Sequence, residues 1–290
     1  MSKFRAYIEL MRVPQWVKNL FVLAPAFFSG SLDNIDIFIT NLIAFCIFCL
    51  TSSAVYCFND IVDANNDLQH PIKRNRPIAS GFIHKSTAHI IAINFAILSL
   101  VWSYILIGPA FAKVISIYII INVLYTLNLK RIAIIDVCVM GFCFILRLQA
   151  GSVASGVALS RWIIIITFLL AIFIALGKRR DDLILSQIDG LQLRQSLAGY
   201  NLKTLNISLC SLAVIIVVLY FIYSINPTIT LYAENLYLTG IFVTLGISRY
   251  LFLTIVRNKA GSPTKILYKD KMLQLCILGW MVTFAIILYQ

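Results

Sequence analysis

Nine long apolar runs, separated by short clusters of charged and turn residues, set the pattern of the chain: Val13–Gly30, Ile37–Phe58, Ala88–Ile107, Val114–Leu129, Ile132–Ala150, Trp162–Gly177, Leu205–Ile225, Tyr237–Val256 and Leu273–Tyr289. About 20 mainly apolar residues in a helix cross the hydrocarbon core of a bilayer. The pattern therefore predicts an all-α, polytopic integral membrane protein of nine transmembrane helices, read as one domain over residues 1–290. The first run is the most broken, because Gln15, Lys18 and Asn19 fall inside it. No uninterrupted apolar stretch precedes Lys18, so a cleaved signal peptide is not expected at the N-terminus.

Composition agrees with the pattern. Of 290 residues, 60% are hydrophobic and 12% charged, with a mean hydropathy of +0.90, which excludes an ordinary water-soluble enzyme. The seven cysteines are an odd number and sit mostly inside apolar runs, where they read as small buried hydrophobes without a disulfide framework.

The net charge of +12 changes the picture only through its placement. With nine spans, every lysine and arginine falls on one side of the membrane except Lys113 and Arg161 opposite, and Arg147 and Arg249 within spans. Cytoplasmic loops carry such an excess. The expected setting is the inner membrane of a bacterium, with the N-terminus and the basic loops cytoplasmic and the C-terminus outside. The positive charge is a topology signal, and no nucleic-acid partner is expected.

Candidate chemistry gathers where the few acidic residues cluster. Asp60, Asp63 and Asp67 lie in Asn59-Asp-Ile-Val-Asp-Ala-Asn-Asn-Asp67 at the inner end of the second span. If the helix continues past Phe58, the offsets i, i+3 and i+7 fall within about 60° of one another. Three carboxylates on one face repel unless a cation neutralises them, and Mg²⁺ prefers a carboxylate or two together with phosphate oxygens. The next segment, His70-Pro-Ile-Lys-Arg-Asn-Arg-Pro-Ile-Ala-Ser-Gly81, brings Lys73, Arg74 and Arg76. Pro71 is expected to stop the helix, and Pro77 and Gly81 to shape a loop. Either half alone also fits a capped helix end or a positive-inside loop; together they point to a metal and diphosphate site.

A second loop, Lys178-Arg-Arg-Asp-Asp-Leu-Ile-Leu-Ser-Gln-Ile-Asp189, is a partial echo. Asp182 and Asp189 stand at i, i+7, but Lys178, Arg179 and Arg180 precede them. The segment reads equally as a flank that stops membrane transfer and as a seat for a lipid or donor phosphate. Ionisable groups inside spans are further candidates: Lys18, Asp136 and Arg147, with Arg249 placed to snorkel inward. Tyr125 and Lys130 lie at the inner end of the fourth span, where tyrosine also serves as an interfacial anchor.

The run NDIVDANND, followed by HPIKRNRPIASG, resembles the UbiA superfamily of intramembrane prenyltransferases, whose first aspartate motif reads NDxxDxxxD. Asn59, Asp60, Asp63 and Asp67 fill each of its positions. Arg12-Val-Pro-Gln-Trp-Val-Lys-Asn19, His70-Pro71, Arg147-Leu-Gln-Ala-Gly151 and Lys178-Arg179 are similar to the decaprenyl-phosphate phosphoribosyltransferase branch. The resemblance implies nine helices around a central cavity open to the cytoplasm and to lipid, and Mg²⁺ held by Asp60, Asp63 and Asp67. Phosphoribosyl diphosphate is implied as donor and a polyprenyl phosphate in the bilayer as acceptor. Implied substrate-binding residues are Asn59, Lys18, Gln15, His70, Lys73, Arg74, Arg76, Tyr125, Lys130, Arg147, Lys178, Arg179 and Asp182. Members acting on aromatic acceptors carry a second motif close to DxxxD, from which Lys178-Arg-Arg-Asp-Asp182 departs. Transfer of a polyprenyl group to an aromatic acceptor stands as one alternative, and a cation-coupled transporter as another. Oligomeric state is left open.

Overall fold

The computed structural model describes residues 3–69, 73–189, 195–226, 235–258 and 263–289. Every regular element among them is helical: α1 (Lys3–Met11), α2 (Ala24–Phe28), α3 (Ile35–Leu68), α4 (Lys85–Trp102), α5 (Pro109–Leu127), α6 (Ile135–Ser155), α7 (Arg161–Asp189), α8 (Leu202–Ser224), α9 (Gly240–Ile255), α10 (Pro263–Lys269) and α11 (Lys271–Tyr289), joined in places by 3₁₀ or π turns. Eight helices among the described residues are long and apolar enough to cross a membrane, so the protein is an integral membrane protein. All seven cysteines are unpaired thiols.

The stretch predicted as the first span takes a different form. Val13–Val22 is a 3₁₀ helix and α2 has only five residues. Pro14 and Pro25 each stand near the start of their segment, where a missing N–H is tolerated, and each limits how far a preceding helix can extend. The stretch nonetheless runs antiparallel along α3. Arg12 meets Asp60, the Trp16 indole donates to Ser53 at 3.0 Å, and Asn19 donates to Ser52 at 3.0 Å and to Cys49. Irregular backbone at such depth persists where protein covers it, and Asn19 and Val22 are fully buried. Among the described residues, nine apolar runs thus become eight helices long enough to span and one 3₁₀ segment packed along α3.

Backbone contacts divide the chain into two compact units, one of residues 1–130 and 143–159, the other of residues 131–142 and 160–290. In the first, α3 is the longest element. Its 34 residues extend about 51 Å, against roughly 30 Å of hydrocarbon, so its last turns project past the bilayer core. Asn34 caps its start, its side chain accepting from the backbone N–H of Asp36 and Ile37. At the other end, Ala6, Leu10, Cys57, Ile61, Ala64, Ile78, Ile83, Ala88 and Ala92 form a core that ties α1, the loop before α4 and the start of α4 to α3. Four alanines in that cluster let the backbones approach closely.

One contact joins two segments distant in sequence. A Cβ placed on Gly151 of α6 would lie 1.8 Å from the carbonyl oxygen of Val22, and a backbone atom cannot swing aside. Gly151→Ala is expected to cost about 3 kcal/mol, the upper end of ordinary overpacking. Thermal or denaturant unfolding of the purified variant checks this, and wild-type stability would contradict the close approach.

In the second unit, Phe173 of α7, Leu209, Ala213 and Ile216 of α8, and Ile247, Tyr250 and Leu253 of α9 form the core with Ile266. Gly177 makes room for the Tyr250 ring. Arg180 staples the cytoplasm-predicted end of this unit: it donates to Asn206 Oδ1 at 2.6 Å, to Asn258 Oδ1 at 2.7 Å and to the carbonyls of Thr254 and Ile255 that close α9. Those carbonyls have no partner within their own helix.

Candidate active site

As the sequence predicts, α3 continues past Phe58 and carries the aspartate array on its last turns. Asp60 and Asp67 are 2% and 4% exposed. Two buried carboxylates this close require compensation, and one guanidinium nitrogen supplies it to both. Arg76 Nη1 lies 3.1 Å from Asp60 Oδ1 and 2.6 Å from Asp67 Oδ2. Asp60 also accepts from Arg12 Nη2. Asp63 turns elsewhere and pairs with Lys130, while Asn59 accepts from Thr126 at 3.4 Å.

The expected single acidic face is therefore resolved into two directions. Positions i and i+7 differ by about 20° around the helix, whereas i+3 lies about 60° from the first. The pair converges and the third diverges. Among the described residues no three acidic, histidine or cysteine side chains converge as a metal centre requires. The chemistry of the pair still fits a hard divalent cation, since its donors are all oxygens and already converge on one cationic atom.

Arg12 belongs to this site, although in the sequence it stands out only as a basic residue of the N-terminal flank and the head of a motif, with no site role of its own. Its guanidinium lies 5.0 Å above the Tyr56 ring, one turn before Asp60 on α3. Its backbone is left-handed, φ 52° and ψ 45°, which costs a non-glycine residue about 1–3 kcal/mol and persists where surrounding contacts impose it. Those contacts are the ion pair, the ring and the turn from α1 into the 3₁₀ segment. The signal available in the sequence was its place at the head of Arg12-Val-Pro-Gln-Trp-Val-Lys-Asn19. Glu9, Arg12, Asp60, Asn75, Arg76 and Pro77 line a cavity of about 250 Å³. Lys73 and Arg74 form the 3₁₀ turn just before it, Arg74 exposed and Lys73 half-buried, and Lys73 acts electrostatically on Asp67. His70 and Pro71 lie outside the described residues.

The two motifs at Arg12–Asn19 and Arg147–Gly151 meet in the first unit. Arg147 is 3% exposed and donates from Nε to Asn19 Oδ1 at 3.0 Å, from Nη2 to Tyr118 Oη at 2.9 Å and from Nη1 to the Cys143 carbonyl at 2.8 Å. Phe48, Tyr118 and Phe144 surround it at 5.1–5.4 Å from ring centres. Among the described residues no carboxylate pairs with it, so its charge is held by neutral acceptors and ring faces. Lys18, half-buried beside Asn19, lies in the field of the Arg147 and Arg12 guanidinium groups. Gln15 is half-buried on the same segment, and Tyr125 is buried near the end of α5.

In the second unit the segment Lys178-Arg179-Arg180, which the sequence leaves open between a stop-transfer flank and a phosphate seat, turns two of its three cations into the protein. Arg179 is 2% exposed and grips Asp136 Oδ2 at 2.5 Å and Asp182 Oδ2 at 2.9 Å; Arg180 is the staple described above. Asp136 also accepts from Ser196 at 3.2 Å and from Tyr200 at 2.7 Å, and the Tyr200 oxygen accepts from the backbone N–H of Ile134 at 2.8 Å. Burial, and then the Asp136 carboxylate, push the Tyr200 hydroxyl above its usual range, which keeps it a donor. A buried ionic pair with its remaining lone pairs satisfied is a packing device first. Lys178 is half-buried, and the side chain of Asp189 lies outside the described residues. Arg249, expected to snorkel, reaches Asp270 at 2.8 Å.

Comparison with known proteins supports the resemblance. The model of the UbiA prenyltransferase family matches residues 19–275. A decaprenyl-phosphate phosphoribosyltransferase of Mycolicibacterium smegmatis is 35% identical, over 97% of this chain and 92% of its own length. The enzyme of the same name from Mycobacterium tuberculosis is 31% identical, over 95% of this chain and 92% of its own. A solved UbiA homolog from Archaeoglobus fulgidus, bound to DMAPP and Mg²⁺, superposes with a TM-score of 0.71 at 20% identity, covering 97% of this chain and 99% of that one. That likeness carries the fold, and the sequence matches carry the kinship. With a long helix ending in Asn59, Asp60, Asp63 and Asp67 and a family match over most of its length, the chain is a member of the UbiA prenyltransferase family.

Proposed function

We propose that the protein transfers the 5-phosphoribosyl group of phosphoribosyl diphosphate to the phosphate of a polyprenyl phosphate, in a Mg²⁺-dependent reaction that releases diphosphate. The observation that carries this is the kinship, at 31–35% identity over nearly the whole chain, with enzymes named for that transfer. An oxygen of the acceptor phosphate bonds to the anomeric carbon of the ribose as the bond from that carbon to the diphosphate breaks. The acceptor is already an anion, so no strong base is required; the work is positioning and stabilising the leaving group.

Asp60 and Asp67, with Asp63 and Asn59 beside them, are the residues that would hold the metal. When bound, Mg²⁺ neutralises charge on the departing diphosphate as a Lewis acid. Arg76, Lys73 and Arg74 orient the donor phosphates from the other side of the cavity. Lys18 and Gln15 receive the acceptor phosphate, and Arg147, through Asn19, fixes the segment that presents them. Lys130 holds Asp63 in place through their ion pair. The polyprenyl tail stays in lipid, and the site faces the cytoplasm, where the basic flanks of the spans gather.

Membranes containing the protein, given Mg²⁺, a polyprenyl phosphate and phosphoribosyl diphosphate labelled in its ribose, are expected to move the label into the lipid fraction. Label that stays in water with every polyprenyl phosphate tried would overturn the reading. Lys18→Met is expected to raise the KM for the lipid acceptor about tenfold, the weight of one charge-assisted hydrogen bond, while leaving the donor KM unchanged. Titration of each substrate separates the two, and an unchanged acceptor KM would remove Lys18 from this role.

A further inference from the structure

The carboxylates assigned to the metal are already occupied by a cation that belongs to the protein. Arg76 Nη1 sits between Asp60 Oδ1 and Asp67 Oδ2, and Arg12 holds the same Asp60 oxygen. The four side chains form a neutral set, two negative and two positive, around carboxylates that are almost fully buried. A divalent cation binding alone between the two carboxylates must displace Arg76. It then leaves two excess positive charges in a poorly solvated cluster and a guanidinium without its anions. Diphosphate removes both penalties at once, because it supplies the missing negative charge and a bidentate acceptor for the released guanidinium. Arg12 keeps Asp60 paired during the exchange, whereas Asp67 has Arg76 as its hydrogen-bonded cation.

We infer that Arg76 is a resident counter-ion that makes metal binding contingent on the diphosphate, so that cation and donor bind as a coupled pair and the bare cation binds weakly. The inference rests on the metal and diphosphate reading of the site given above. It assigns Arg76 two positions, bridging the aspartates in the ligand-free protein and contacting diphosphate in the loaded one. Coupling of this kind is reciprocal: the diphosphate is held as much more tightly with the cation as the cation is with the diphosphate.

The test uses purified full-length protein in lipid nanodiscs and Mn²⁺ as a paramagnetic stand-in for Mg²⁺, with protein-bound ion counted by equilibrium dialysis at matched free Mn²⁺. Wild-type protein is expected to retain Mn²⁺ at least about tenfold more tightly when inorganic pyrophosphate is present, a coupling of about 1.4 kcal/mol. Without pyrophosphate, Arg76→Gln is expected to bind Mn²⁺ about tenfold more tightly than wild type, because the competing cation is gone. Arg76→Lys is expected to stay near wild type. Arg74→Gln removes the same charge from a neighbouring exposed position and is expected to change affinity less than about threefold.

Equal wild-type affinity with and without pyrophosphate would overturn the coupling, and that measurement needs no variant to fold. Equal gains in Arg74→Gln and Arg76→Gln would also overturn it, by showing a general field in place of a competing ligand. Failure to retain Mn²⁺ under any condition would overturn the metal reading itself along with the coupling.

Discussion

Asp67→Asn is expected to lower phosphoribosyl transfer by about 100- to 1,000-fold while the protein stays folded and inserted. The asparagine keeps the shape of the side chain and an oxygen to accept from Arg76, so the hydrogen bond seen at 2.6 Å survives in weaker form. What disappears is a negative charge that helps hold the cation at the leaving diphosphate, a transition-state contribution of this order. Asp63→Asn is expected to fall in the same range, despite its different partner, Lys130. Initial rates at saturating substrates, read beside the thermal unfolding of each variant, separate loss of chemistry from loss of fold. Near-normal turnover in both variants would remove the metal role from the aspartate array.

Asp136→Ala is expected to have the largest effect on stability, about 3–5 kcal/mol, because it leaves the buried guanidinium of Arg179 half-paired and strips Ser196 and Tyr200 of their acceptor. Arg179 retains Asp182 at 2.9 Å, on the side that is more open. The Tyr200 hydroxyl also anchors Ile134, a β-branched residue with φ 70°, so the turn into α6 is expected to loosen with the network. Unfolding of the purified variant gives the cost. Protein that remains folded at low temperature is expected to show wild-type KM values for both substrates, since this network holds the second unit together. Wild-type stability, or a selective rise in one KM, would assign Asp136 and Arg179 to substrate instead.

How far the chain can be read without its structure differs from one element to the next. Helical spans and the continuation of α3 past Phe58 follow from hydropathy and the 3.6-residue period, which act locally. That period also places Asp60 and Asp67 on one line. It does not say which cation meets them, because Arg12 is 48 residues away in sequence and its left-handed backbone has no local signature. The same holds for Arg147 and Asn19, 128 residues apart. Each was conspicuous as a polar group inside an apolar run, and only packing shows that they satisfy one another.

Val13–Gly30 was harder to read for a related reason. Its apolar content predicts a crossing, but its prolines and its polar residues suit a 3₁₀ path whose side chains bond to α3. For the basic triplet at 178–180, charge near a membrane edge predicts contact with phosphate. The fact that outweighs this is tertiary: Asp136 approaches from 43 residues earlier and takes Arg179. A lone aspartate one turn into a span was the visible sign that some buried cation had to meet it.

The identity of the transferred group separates the two chemistries open to this fold. One preparation of purified protein in nanodiscs, with Mg²⁺ present, is to be offered phosphoribosyl diphosphate with a polyprenyl phosphate and, separately, a polyprenyl diphosphate with an aromatic acid acceptor, and kcat/KM measured for each donor. The first pair is expected to give a phosphoribosylated lipid and stoichiometric diphosphate, with turnover of the second at least about 1,000-fold lower, a difference near 4 kcal/mol in transition-state stabilisation. Efficient prenylation of the aromatic acceptor, with the ribose label left in water, would contradict this expectation.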